Sequence, residues 1–133
     1  MSFAINWLAV LAGVVLSWLI GAGYYMALSR QWLAAIGKSR GQINSRDPTP
    51  FIIGFVCQLV MASVLAAVLP ALFGGVSLVN GALAGALMWL GFVIPAMTLN
   101  HRYAGETWSR TVIDGGYLLI ALVVQGGVIG LSG

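Results

Sequence analysis

The chain has 133 residues, 60% of them hydrophobic and only 7% charged, with a formal net charge of +3. A soluble domain carries roughly 25% charged residues, so a water-soluble globule is excluded, and no basic run interleaved with aromatics points to nucleic acid. One cysteine, Cys57, lies inside an apolar run, which rules out an intramolecular disulfide and suits a small buried hydrophobe.

The first apolar segment covers residues 5–28. No Lys or Arg precedes it and it is longer than the core of a secretory signal, so it reads as a retained helix. Asn6 and Trp7 suit a water–lipid boundary, and Tyr24 and Tyr25 at the other end are expected to anchor there too. Ala9, Gly13, Ser17 and Gly21 recur every four residues, a ridge of small side chains along which another backbone can approach.

Residues 29–49 form the longest polar connection and carry Arg30, Lys38, Arg40 and Arg46 against Asp47 alone. That excess marks the cytoplasmic side. Its first part predicts a short interfacial helix after helix one, with Trp32, Leu33 and Ile36 facing lipid and Gly37 ending it. Between Asp47 and Arg102 no Asp, Glu, Lys or Arg occurs, enough chain for two crossings at about 20 residues each. The second segment, 50–69, starts with Pro50 where a helix tolerates it and holds Gln58 about two turns in. Pro70 with Gly74 and Gly75 predicts a tight outer turn.

The third segment, 78–99, holds Gly81 and Gly85 one turn apart, and Pro95 predicts a bend near its end. The fourth, 108–131, carries Gly126, Gly127 and Gly130, again suited to close packing. The expected fold is therefore all-α: four transmembrane helices in one antiparallel bundle spanning the whole chain as a single domain. Four crossings put both termini outside and the basic loops in the cytoplasm.

Residues 95–117 concentrate the chemistry, holding the only histidine, two of three acids and two of six bases. Asp114 lies about 9 Å along its helix from Trp108, below the interface, where a carboxylate is costly without a partner. Arg110, one turn earlier, supplies one. Depth counting places Tyr24, Tyr25, Gln58, Thr98, Asn100, Asp114 and Tyr117 in one inner layer. They serve either as interhelical glue at about 1 kcal/mol per contact or as a small polar pocket open to the cytoplasm. His101 and Arg102 fit ordinary interfacial solvation. One histidine and one distant cysteine make no metal set, and no serine has a His and acid beside it, so no catalytic, cofactor or metal residues are expected.

Several pieces of the chain resemble a family of small bacterial membrane proteins known as a domain of unknown function, number seventeen sixty-one of that series. They are Ile5-Asn-Trp-Leu-Ala, 21–25 followed by Trp32, Trp89-Leu-Gly-Phe-Val-Ile-Pro95, and Asn100 through Trp108 to Asp114-Gly-Gly-Tyr117. Tyr24 stands where that pattern has tryptophan. The resemblance implies a four-crossing fold of the bacterial cytoplasmic membrane and carries no reaction with it. The expected role is a non-enzymatic helix-packing or accessory subunit that self-associates or joins a larger membrane complex. A small oligomeric transporter or channel working through Asp114 is the rival.

Overall fold

The computed structural model describes residues 5–38 and 48–132, so Arg40, Arg46 and Asp47 of the basic connection lie outside the described residues. The elements in order are α1 (Trp7–Ala27), α2 (Ser29–Ile36), α3 (Thr49–Phe73), α4 (Leu78–Met88), a π-helical turn (Trp89–Val93), α5 (Ile94–Tyr103) and α6 (Trp108–Ser132). Among the described residues, four helical stretches are long and apolar enough to cross a membrane: α1, α3, Leu78–Tyr103 and α6. The fold is an all-α membrane fold with four spanning helices.

Local chemistry fixes the helix ends. The Asn6 side chain caps α1 by accepting from the Ala9 N–H at 3.2 Å, and Ser77 does the same for α4 from Asn80 at 3.1 Å. Gly37 and Gly74 stop α2 and α3 in the left-handed region, at φ 71° and 68°. One expectation fails here: Pro70 does not end its helix, which continues to Phe73. A proline gives up its N–H and crowds the carbonyl one turn back, but the exposed Pro70 sits in the last turn, so the helix bears the loss and Gly74 terminates it. In the third span the departure from α geometry comes just before Pro95, as a turn in which the Ile94 N–H reaches back to Trp89 O.

Small and polar side chains share the inside with a set of aliphatic ones, while many large apolar side chains face outward, as hydrocarbon solvent allows. The outer faces present Trp7, Leu8, Phe51, Ile52, Phe92 and Trp108, all exposed. The inner row of α1 is Ala9, Val10, Gly13, Val14, Ser17 and Gly21. Helix α6 is the centre of the bundle: 44% of its apolar window is buried, against 11% for the third span. It meets α1, α3 and α4. Against α4 the backbones touch directly. A side chain at Gly81 would run into the Gly126 carbonyl, one at Gly85 into that of Leu122, and one at Gly130 into that of Ser77. Gly13 leaves 3.2 Å for the Gln125 Cα. The small-residue ridges are thus filled inside one chain, which removes them as surfaces for self-association.

Helix α2 also differs from expectation. It packs on α6 with Ala35 buried, and Trp32, Leu33 and Ile36 are half-buried rather than turned wholly to lipid. The Thr107 hydroxyl donates to Ala35 O at 2.7 Å, and the Trp32 ring stacks edge-on against Tyr25 at 6.0 Å.

Candidate functional site: a buried polar column

The polar groups of the bundle collect between α1, α3 and α6. At its middle, Ser17, Gln58 and Tyr117 close a ring across three helices. The Ser17 hydroxyl donates to Gln58 Oε1 at 2.6 Å, Gln58 Nε2 donates to the Tyr117 hydroxyl at 2.8 Å, and that hydroxyl donates to Ser17 O at 2.9 Å. Gln125, fully buried at 0%, donates through Nε2 to Ser17 Oγ at 3.1 Å and Gln58 Oε1 at 3.2 Å. In hydrocarbon an amide must find such partners or lose several kcal/mol, so these contacts set the register of the three helices. The Gln125 Oε1 is left buried without a partner.

Toward the α2 end the column becomes charged. The Tyr25 hydroxyl donates to Asp114 Oδ1 at 2.7 Å, and the Tyr24 hydroxyl donates to Ile113 O at 2.7 Å. Arg110 pairs with Glu106 at 2.9 Å and approaches Asp114 at 3.5 Å through an Nε that lacks hydrogen-bond geometry. Asp114 keeps 18% of its side chain exposed. The Tyr24, Tyr25 and Tyr117 rings stack on one another at 5.3–5.7 Å, which joins the charged part to the neutral ring by aromatic contact and not by hydrogen bonds. Beyond Gln125 toward the chain termini the core is dry: Val10, Val14, Leu65, Leu69 and Ile129.

Of the residues singled out from sequence, Tyr24, Tyr25, Gln58, Arg110, Asp114 and Tyr117 come together here. Asn100 does not: it is exposed at the end of α5, with no side-chain hydrogen bond among the described residues. Tyr24 and Tyr25 turn their hydroxyls into the bundle instead of anchoring at the interface. Ser17 and Gln125 join although neither was placed in the polar layer. Gln125 was legible by the argument used for Gln58, an amide in an uncharged span. It was not singled out there; helical side chains lean toward their N-terminus, so Gln125 reaches back along α6 into the column. Two hollows lie elsewhere, one beside Met26 and Arg30, the other, about 430 Å³, on the outer face of α1 along Leu8, Leu11 and Leu19. Neither borders the column.

A second polar knot ties α5 to α6. Thr111, buried, meets His101 Nδ1 at 2.7 Å and accepts from Arg102 at 2.8 Å. Arg102 also donates to Thr107 O at 3.1 Å and lies 3.7 Å over the Trp108 ring. His101 is therefore bonded within the fold rather than simply solvated. No group of three metal-ligating side chains occurs among the described residues.

The family described as Protein of unknown function (DUF1761) matches residues 8–130. No curated protein and no solved structure matches the chain.

Proposed function

The chain belongs to the DUF1761 family, and from that premise we propose a non-enzymatic accessory subunit of the bacterial cytoplasmic membrane that works by pairing with a second copy or with a larger membrane complex. Its basic loops face the cytoplasm and both termini face outward, because Arg30 and Lys38 flank α2 at one end of the bundle and Arg102 and Arg110 lie at the same end.

The observation that supports a partner is the third span. Only 11% of its apolar window is buried, against 33%, 28% and 44% for the others, so its outer face is the least used within the chain. Leu87, Leu90, Phe92 and Leu99 are exposed there, and Gly91 has open space where a side chain would stand. The column favours a structural role, since its groups bond one another. Native mass spectrometry from lipid nanodiscs, with crosslinking in intact membranes, tests the reading. An assembly weakened by Gly91→Trp supports it, and a lone monomer with no crosslinked partner defeats it.

One observation favours the transporter instead. Polar groups run from Glu106 at the bundle edge to Gln125 at mid-depth, ending on the unpartnered Oε1. On that reading Asp114→Asn abolishes ion or proton flux in proteoliposomes while the fold survives. Unchanged flux rejects it.

A further inference from the structure

We infer that the crook between α1 and α2 is a seat for the phosphate headgroup of an anionic phospholipid, held by Arg30. Depth places it. At 1.5 Å per residue the 21 residues of α1 run about 30 Å, the thickness of the hydrocarbon layer. With Trp7 at one boundary, Ala27 reaches the other, and residues 29–31 lie among headgroups. Leu28, at φ −104° and ψ 16°, separates the two helices there. A hollow of about 400 Å³ takes its lining from both sides of that break: Met26 and Ala27 from α1, Ser29, Arg30 and Gln31 from α2. The volume is within the range of small-ligand sites, and the lining turns from apolar to polar in the direction in which a phospholipid does.

The chemistry of this lining selects an anion. Arg30 is exposed, and its side chain makes no ion pair or hydrogen bond among the described residues. Neither α1 nor α2 carries an acid, and both described acids, Glu106 and Asp114, are engaged with Arg110. Helix α2 is fixed with Arg30 outward, because Ala35 is buried where α2 packs on α6 and its carbonyl accepts from the Thr107 hydroxyl at 2.7 Å. A guanidinium offers a planar fork of donors that meets two phosphate oxygens at once, while its methylene stem lies along apolar surface. Lys38, past the far end of α2, is exposed as well but stands away from the hollow. The inference needs only that these helices cross a bilayer and does not depend on which partner the protein has.

Native mass spectrometry of the protein released from nanodiscs of equal phosphatidylglycerol and phosphatidylcholine tests it. The native chain should retain phosphatidylglycerol about tenfold over phosphatidylcholine. Arg30→Gln should bring that preference to near parity, and Arg30→Lys should keep part of it. Ala27→Trp should lower it by filling the hollow with the charge untouched. Lys38→Gln, which removes the same charge outside the hollow, should leave it unchanged. No preference in the native chain, equal losses in Arg30→Gln and Lys38→Gln, or displacement of the retained lipid by inorganic phosphate at matched ionic strength would each overturn the seat. The native comparison needs no variant, so a substituted chain that misfolds does not shield the proposal.

Discussion

A methyl group at position 21 would stand 2.6 Å from the Tyr117 hydroxyl oxygen and 2.7 Å from the ring carbon that bears it. The Tyr117 ring cannot retreat without breaking its bonds to Gln58 and Ser17. Gly21→Ala should therefore destabilise the bundle by about 1–3 kcal/mol, read by unfolding in mild detergent. At Gly23, where nothing lies within 4 Å, alanine should be neutral or stabilising by up to about 1 kcal/mol through helix propensity. The two glutamines should also behave differently. Gln58 bonds Ser17, Tyr117 and Gln125, so Gln58→Leu strands several groups and should cost about 1–3 kcal/mol. Gln125→Leu removes an unpartnered oxygen along with its donors, leaves the Ser17–Gln58–Tyr117 ring intact, and should cost less in the same measurement.

For whole helices the decisive feature is how closely α4 and α6 approach. Because Gly81 and Gly126 face each other's carbonyls, Gly85→Leu or Gly81→Leu should prevent the native bundle from forming, seen as aggregation on size-exclusion chromatography in detergent. Gly54→Leu, at an open position on α3, should elute as the native protein does. The spacing of the α4 and α6 glycines was legible in the sequence, and so was the stop at Gly37. What periodicity could not say was which partner each ridge would take, since a small-residue face fits a helix of the same chain as well as one from another. Pro70 misled because a proline in the last turn of a long apolar helix gives up one hydrogen bond and crowds one carbonyl, a cost the helix bears.

Over the entire molecule, hydropathy alone reveals four crossings, because about 20 apolar residues per span leave few alternatives. The polar column was legible in outline, from the cost of Asp114 and Gln58 in hydrocarbon. Its membership was not, because Asn100 was assigned by depth and Gln125 was overlooked, and facing depends on packing that depth does not encode. Orientation is a matter of charge: a reporter active only in the periplasm should be active when fused after Ser132, and moving the excess of basic residues to the opposite connection should reverse it. The central place of α6 has one more consequence. A ribosome makes it after the other three spans, yet α6 supplies Tyr117, Gln125 and the glycines against which α1 and α4 settle. Until it threads into the bilayer, the nascent protein holds Gln58 with Ser17 as its sole mate from this set, and α4 presents a bare glycine groove to lipid. Translation that stalls before α6 would leave an unfinished assembly for membrane proteases to recognise.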